Sequence, residues 1–135
     1  MKKKNSELIS SAKKLVGKKY KYGASAKEAP EFFDCSSFVQ HLFAQAGVKL
    51  PRSTIEQIEC GKNVDLKDIL PGDLIFIRGS KFHTSKTWPD GVGHVVIYAG
   101  DGKIIHAEGC RHNKVVLENL ENLNLKELRA VKRIL

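Results

Sequence analysis

Long apolar runs are missing from this sequence. No stretch approaches the roughly 20 apolar residues that a membrane-spanning helix needs, so we expect no membrane span. The basic start, Met1 to Lys4, is not followed by the roughly 7 to 15 apolar residues of a secretory signal, so the chain as written predicts no export signal. The sequence leaves the location open: the protein acts in the cytoplasm, or it reaches the cell wall or the exterior by lysis, by another secretion route or through a leader that this sequence does not contain.

Cysteine is scarce, and the residue spacings typical of metal sites are absent. The three cysteines, Cys35, Cys60 and Cys110, include no Cys-x-x-Cys pair, and a zinc site would have to be assembled from scattered residues. We predict no metal and no cofactor. The odd number favours one reactive thiol, while Cys60 and Cys110 could be buried, free or paired.

Internal repeats and low-complexity segments are also absent. A chain of 135 residues with 41% hydrophobic content can bury one modest core and leaves no room for a second. We therefore expect a single domain over residues 1–135.

Acidic residues are fewer than basic ones, 15 against 23, which gives a formal net charge of +8. A lysine-rich face could dock on an anionic polymer, or it could simply keep the protein soluble. Nucleic acid binding is not predicted, because zinc-finger spacing, recognition-motif aromatics and an arginine-rich helix are all lacking. The N-terminal lysine cluster consists of Lys2, Lys3, Lys4, Lys13, Lys14, Lys18, Lys19 and Lys21.

Apolar residues recur at helical spacing in the first half of the chain. They predict a helix over residues 6–17, capped by Asn5, and a second helix over residues 35–47. The segment Ser53-Thr54-Ile55-Glu56 matches a capping box, which predicts a short third helix. Residues 18–33 have no regular apolar pattern and are predicted to form a loop.

The second half of the chain has the two-residue period of strands. A tight reversal at Ala99-Gly100-Asp101-Gly102 predicts a hairpin. Helices followed by strands indicate an α+β fold, in which N-terminal helices pack on a C-terminal antiparallel sheet. The strands are predicted over residues 74–77, 95–99, 103–107, 115–117 and 129–134.

Cys35 stands at the head of the second predicted helix and is a candidate nucleophile. Asp34 can cap this helix, which places Cys35 in its first turn. There the free backbone N–H groups and the helix dipole favour a thiolate, the reactive form of cysteine. A lone cysteine at a helix start is also often a small buried hydrophobic residue.

Two histidines lie on adjacent predicted strands and could supply the rest of a catalytic group. His94 and His106 should sit within about two positions of each other across the hairpin, although the register that decides whether they share a face is not given by the sequence. On a common face, His94 could take the proton of Cys35 while His106 fixes the tautomer of His94.

Six segments, taken in order, resemble the NlpC-type cell-wall cysteine peptidases. The resemblance covers residues 5 to about 108 and is more specific than any single motif. It rests on Tyr20-Lys21-Tyr22-Gly23-Ala24, Phe33-Asp34-Cys35-Ser36-Ser37-Phe38-Val39-Gln40, Leu50-Pro51-Arg52-Ser53, Leu70-Pro71-Gly72-Asp73-Leu74-Ile75-Phe76, Gly93-His94-Val95-Val96-Ile97-Tyr98 and Ile105-His106-Ala107.

This resemblance implies a papain-like fold and hydrolysis of an amide in the stem peptide of bacterial peptidoglycan, commonly between D-glutamate and the diamino acid. It also implies that Cys35 is the nucleophile, His94 the base and His106 the third polar residue. The partners would be the stem peptides and, through the N-terminal lysine cluster, an anionic wall polymer.

The resemblance also implies three further site residues. Tyr20 matches the family tyrosine whose hydroxyl helps to bind the oxyanion, with the backbone N–H of Cys35 as a second donor. Asp34 and Ser36 match positions that line the substrate cleft, where a carboxylate can hold a free N-terminal amine. The simpler interpretation is that Asp34 is a helix cap and Ser36 a first-turn residue.

Some residues depart from the family pattern. Ser37 and Ala24 stand where the family usually has glycine, and Val96 replaces a common small residue, so we expect added bulk near the cleft. Residues 79–92 form a longer loop than is typical and could be a cleft wall or a surface loop. The altered glycines and the missing export signal keep one alternative open, an amidase, deamidase-like toxin or acyltransferase acting on a non-wall substrate. The lysine-rich start keeps open a second, a non-catalytic basic wall-binding module.

Overall fold

The computed structural model describes residues 2–135, apart from the side chain of Lys2, so this member of the N-terminal lysine cluster lies outside the described side chains. Within this range the chain forms three α-helices and eight strands, joined by turns and short 3-10 segments. The helices are α1 (Lys2–Lys14), α2 (Cys35–Gln45) and α3 (Thr54–Gln57), and the strands are β1 (Lys19–Tyr20), β2 (Phe32–Phe33), β3 (Lys62–Asn63), β4 (Leu74–Ile77), β5 (His94–Gly100), β6 (Lys103–Glu108), β7 (Lys114–Asn119) and β8 (Leu128–Arg133).

The strands make one sheet in the order β2-β1-β7-β6-β5-β4-β8-β3. The fold is α+β, and the five longer strands lie close to their predicted positions. The expectation of a purely antiparallel, C-terminal sheet is wrong in two respects. The outermost pair, β1 and β2, is parallel, and three two-residue strands come from the first half of the chain. Two of these strands lie within residues 18–33, which were predicted to be a loop.

The helices also differ from prediction at their ends. α1 begins at Lys2, so Asn5 lies inside this helix and does not cap it. α2 begins at Cys35 with Asp34 as its cap, as predicted. α3 has only one turn, and the Ser53 hydroxyl bonds the Glu56 carboxylate rather than a backbone N–H.

Both faces of the sheet carry buried apolar residues. On one face, the apolar side of α2 joins a cluster with residues of β5 and β6, and on the other face a second cluster gathers around Ile75 and Val96. The α2 residues of the first cluster are buried because the i, i+3, i+4 spacing places them on one side of the helix. They are Phe38, Val39, Leu42 and Phe43.

None of the helices in the described part of the chain combines the length and the apolar character needed to cross a bilayer.

Candidate active site

Cys35 is the first residue of α2 because Asp34 stops the preceding strand and caps the helix. The Asp34 carboxylate accepts the backbone N–H of Ser37 at 2.8 Å, and the Ser37 hydroxyl accepts the backbone N–H of Asp34 at 2.9 Å. These reciprocal bonds satisfy donors that the first turn of a helix would otherwise leave free. Cys35 is held there with 8% of its surface exposed.

Burial determines the resting charge of this thiol. Burial, followed by the negative charge of Asp34, raises the pKa of Cys35 to about 12. The backbone N–H groups of Val95 and Ser36 favour the thiolate but do not outweigh burial. The thiol lies 3.6 Å from the carbonyl oxygen of Gly93, to which it donates. The sequence pointed to a thiolate, but the structure gives a neutral thiol at rest.

His94 and His106 meet on one face of the sheet. The register pairs Tyr98 of β5 with Ile104 of β6, and His94 and His106 share the faces of these two residues, respectively. The His94 Nε2 and His106 Nδ1 atoms are 2.7 Å apart, so one ring donates to the other. This hydrogen bond leaves the Nδ1 atom of His94 for another partner.

Glu118 of β7 extends this pair, and sequence reasoning missed it. Its Oε2 atom lies 2.6 Å from the His106 Nε2 atom, and its Oε1 atom accepts from Arg111 and Asn122. The sequence held one signal: a glutamate directly after the strand predicted over residues 115–117. We call His94, His106 and Glu118 the histidine chain.

Within the histidine chain, His106 is buried and His94 and Glu118 are half-buried, and this removal from water sets their charges. Burial, and to a smaller extent His106, lowers the pKa of His94 to about 3. Burial also lowers the pKa of His106, although the hydrogen bond and charge of Glu118 act in the opposite direction. Burial opposes ionisation of Glu118 too, but the bonds from His106 and Asn122 keep the pKa of its carboxyl below the usual value. At neutral pH the histidine chain therefore consists of two neutral imidazoles and one carboxylate.

Tyr20 lies beside Cys35 because of the short parallel pair at the sheet edge. Its partner in the register is Phe33, two residues before Cys35. Burial, followed by the charges of Cys35 and Asp34, raises the pKa of Tyr20, so the hydroxyl keeps its proton and remains a donor. The ring packs so closely on Gly109 that a Cβ there would lie 2.5 Å from it, which requires glycine at this position.

Asp34 and Ser36 are tied to Arg52, a second residue that sequence reasoning did not assign to the site. The Arg52 guanidinium donates to Asp34 and to Ser36, both at 2.8 Å, and to the carbonyl oxygen of Ala24 at 2.7 Å. The Asp34 carboxylate also accepts the backbone N–H of Gly23 at 3.0 Å. Burial opposes ionisation of Asp34, but the bonds from Arg52 and Ser37 hold the pKa of its carboxyl below the usual value.

All six predicted site residues line one cleft of about 600 Å³. Arg52 and Glu108 line it as well, while Glu118 lies behind His106. Cys110 is exposed at the cleft, and within residues 2–135 all three cysteines are free thiols, so Cys60 and Cys110 are not paired. The predicted residues are Tyr20, Asp34, Cys35, Ser36, His94 and His106.

The expected bulk at the three departures from the family pattern is not in the cleft. Ser37 is turned into the helix cap, Ala24 is fully buried, and Val96 is buried in the second core cluster, beside Ile75. None of the three is among the described residues that line the cleft.

Comparison with known proteins shows the family to which this sequence belongs. The sequence profile of the NlpC/P60 family matches residues 17–132. The chain belongs to the NlpC/P60 family.

Named relatives of this NlpC/P60 chain include two from Bacillus subtilis (strain 168). It is 38% identical to a gamma-DL-glutamyl hydrolase, over 84% of this chain and 25% of that protein. It is 35% identical to a gamma-D-glutamyl-L-lysine dipeptidyl-peptidase, over 75% of this chain and 32% of that protein. The chain thus spans a quarter to a third of the length of these two relatives.

A solved structure has the same fold as this chain. The peptidoglycan hydrolase RipB from Mycobacterium tuberculosis superposes with a TM-score of 0.77 at 27% identity, covering 98% of this chain and 66% of that one.

The long loop of this NlpC/P60 chain, residues 79–92, is fixed to its surroundings. The Trp88 indole N–H donates to Glu59 at 2.9 Å, and the Arg129 guanidinium donates to the carbonyl oxygen of Gly91 at 2.9 Å. The Lys81 ammonium lies 4.3 Å from the centre of the Tyr22 ring, and both residues line the cleft. The loop therefore forms a wall of the cleft, one of the two predicted possibilities.

Proposed function

We propose that this chain is a cysteine endopeptidase that hydrolyses an amide bond in the stem peptide of bacterial peptidoglycan. One observation carries the proposal: Cys35 lies at the start of α2 in the same cleft as the hydrogen-bonded pair of His94 and His106. A thiol, a base and a residue that orients the base are what nucleophilic acyl transfer requires.

The reaction starts from a neutral thiol and a neutral imidazole. The Cys35 thiol turns from the Gly93 carbonyl oxygen to His94, which accepts the proton as the sulfur attacks the carbonyl carbon of the amide. His94 then gives the proton to the leaving amine, and a thioester to Cys35 remains. Water, deprotonated by His94, attacks the thioester and releases the carboxylate and the free thiol.

Two donors are available for the oxyanion of the tetrahedral intermediate. Tyr20 has a protonated hydroxyl at the cleft, and the backbone N–H of Cys35 is one of the first-turn N–H groups that a helix leaves free. Donors aimed at the developing charge stabilise the transition state more than the ground state.

Asp34 and Ser36 are the proposed binding site for the free N-terminal amine of the stem peptide. A carboxylate can accept about four hydrogen bonds. Asp34 already accepts from Ser37, Gly23, Arg52 and, at 3.4 Å, the Ser36 hydroxyl. The bond from Ser36 is the longest of the four, so we expect the amine to replace it.

Two of the relatives favour a bond at D-glutamate. They are named for glutamyl substrates, a gamma-DL-glutamyl hydrolase and a gamma-D-glutamyl-L-lysine dipeptidyl-peptidase. We therefore propose cleavage between D-glutamate and the diamino acid.

The proposal also covers the fold of the domain and its contact with a wall polymer. We propose a papain-like single domain over residues 1–135, with α1 and α2 packed against the sheet. The described lysines of the N-terminal cluster are exposed except for Lys18, which is half-buried, and they form the proposed contact with an anionic wall polymer. This contact should weaken as the salt concentration rises.

Digestion of purified peptidoglycan tests the function. The parent chain and the Cys35→Ala and Cys110→Ala variants are incubated with peptidoglycan, and the released fragments are identified by mass spectrometry. We expect fragments with a new D-glutamate carboxyl terminus from the parent and from Cys110→Ala, which lacks the other thiol of the cleft. Equal release by Cys35→Ala would overturn the proposed role of Cys35, and no release by the parent would overturn the substrate.

A further inference from the structure

The proton positions in the histidine chain follow from Glu118. An ionised carboxylate can only accept hydrogen bonds, so the 2.6 Å contact places a proton on the Nε2 atom of His106. A neutral imidazole carries one ring proton, so the Nδ1 atom of His106 is then an acceptor. His94 must therefore donate from its Nε2 atom across the 2.7 Å contact.

The proton of His94 thus sits on the Nε2 atom, which is bonded to His106, and the Nδ1 atom carries none. We infer that Glu118 is a positioning residue that keeps the Nδ1 atom of His94 unprotonated and free to accept the proton of Cys35. This inference rests on the proposed function only in taking His94 as the base.

The surroundings of Glu118 make the inference testable by a near-isosteric change. Its Oε1 atom accepts from Arg111 and from Asn122, both at 3.2 Å, and the guanidinium can only donate. In Glu118→Gln, Arg111 and Asn122 still need an acceptor, so the amide oxygen of the glutamine points to them. The amide NH₂ group then faces His106. His106 must then accept at Nε2 and donate at Nδ1, and the Nδ1 atom of His94 becomes protonated.

A comparison of two substitutions separates this role from that of charge or packing. Glu118→Met removes the acceptor without offering a donor, so both tautomers of His94 can form. We therefore expect activity to fall from the parent to Glu118→Met and further to Glu118→Gln. If Glu118 acted only by its packing or charge, the near-isosteric glutamine would be no worse than methionine. The matched control is Glu121→Gln. It removes the same charge at an exposed glutamate three residues away, which makes no bond to the histidine chain.

The first measurement reads the tautomer directly. Long-range proton–nitrogen correlation spectra distinguish a protonated from an unprotonated ring nitrogen. We expect His94 to be protonated at Nε2 in the parent and in Glu121→Gln, and at Nδ1 in Glu118→Gln. An Nδ1-protonated His94 in the folded parent would overturn the inference even if neither variant folded.

The second measurement needs no substrate. The rate of Cys35 alkylation by iodoacetamide at pH 7, followed by peptide mass spectrometry to separate it from Cys60 and Cys110, should fall about 10- to 100-fold in Glu118→Gln, as is typical when an outer hydrogen-bond partner of a site is lost. Thermal unfolding of each variant checks that it is folded. An alkylation rate in Glu118→Gln equal to the parent's would overturn the inference.

The two proposals can fail separately. If the parent releases no peptidoglycan fragments but the tautomer and the alkylation rate follow the expected order, the substrate is wrong and the role of Glu118 stands. If peptidoglycan is cleaved equally by the parent and by folded Glu118→Gln, the role of Glu118 is wrong and the function stands.

Discussion

The two halves of the candidate site are built in different ways. The helix cap of the cysteine half is local: Asp34 and Ser37 each accept the backbone N–H of the other, three residues apart. The longer bonds of this half, from Cys35 to Gly93 and from Arg52 to Asp34, add to a position that the cap already sets. The histidine half is assembled from three strands, and each of its two hydrogen bonds joins residues 12 positions apart. The first half therefore depends on a helix cap and the second on the register of the sheet.

The two halves therefore contribute different parts of the proposed reaction. The cap fixes where the sulfur lies, whereas the register fixes which nitrogen can accept its proton. A slip of one residue between β5 and β6 would turn His106 to the opposite face, while the cap would stay intact. Substitutions of the two histidines should therefore act mainly on catalysis, and substitutions of the cap residues Asp34 and Ser37 mainly on stability.

The largest expected effect is that of removing the base. His94→Ala should lower kcat on peptidoglycan by about 10²- to 10⁴-fold, the range typical of a general base. His83→Ala, which removes an exposed histidine of the same cleft, is the control for loss of an imidazole there. Steady-state kinetics on muropeptides measure both, and a His94→Ala variant as active as His83→Ala would contradict the proposed base.

The pH dependence of stability should also separate the halves. The pKa of His94 is about 3 in the folded chain and about 6.5 when unfolded, so between these values the unfolded chain binds a proton that the folded chain does not. The free energy of unfolding should therefore fall as the pH drops below about 6.5, by at most about 1.4 kcal/mol per pH unit for this group.

The carboxyl of Asp34 should respond in a lower pH range. Its pKa is lowered on folding, so its contribution is complete above the unfolded value of about 3.9 and is lost as the pH falls through the folded value. Urea unfolding at pH 7, 6 and 5 should thus show a slope that His94→Gln reduces and Asp34→Asn does not. If the free energy of unfolding fell equally with pH in the parent and in His94→Gln, burial of His94 would not be the cause of the pH dependence.

Arg52 links the cysteine half to its surroundings. Arg52→Ala removes the donor to Asp34, Ser36 and the Ala24 carbonyl oxygen and leaves a buried carboxylate with one partner fewer. We expect a loss of about 1 to 3 kcal/mol in the free energy of unfolding. Arg78→Ala, which breaks the more exposed ion pair with Glu127, should cost about 1 kcal/mol or less, and equal losses in urea unfolding would contradict the difference.

The same division shows how much of this site could be predicted from the sequence. Asp34 could be identified as a cap because cap and capped N–H groups lie within one turn of each other. The two histidines could be identified as site residues, but their hydrogen bond could not be predicted, because a period of two does not reveal the register of a hairpin. Glu118 was missed for the same reason, since it meets His106 only through the pairing of β6 with β7.

The sheet edge and the resting charge were missed for other reasons. β1 and β2 have two residues each, too few for a periodic pattern, yet their pairing brings Tyr20 to the cleft. The sequence gives the helix start that favours a thiolate at Cys35, but it does not give the burial that opposes it. Both depend on contacts that form only in the folded chain.

The smallest expected effect on activity is at Ser37, one of the residues predicted to depart from the family pattern. Ser37→Gly removes the hydroxyl that accepts the Asp34 N–H and adds backbone freedom in the first turn of α2. We expect a loss of about 1 to 2 kcal/mol in the free energy of unfolding and no change in kcat or KM, because the side chain does not reach the cleft. The neighbouring Ser36→Ala should raise KM instead, because Ser36 lies beside the proposed amine site. A rise in kcat or a fall in KM with Ser37→Gly would show that the serine does narrow the cleft, and that the cap and the catalytic geometry are not separable.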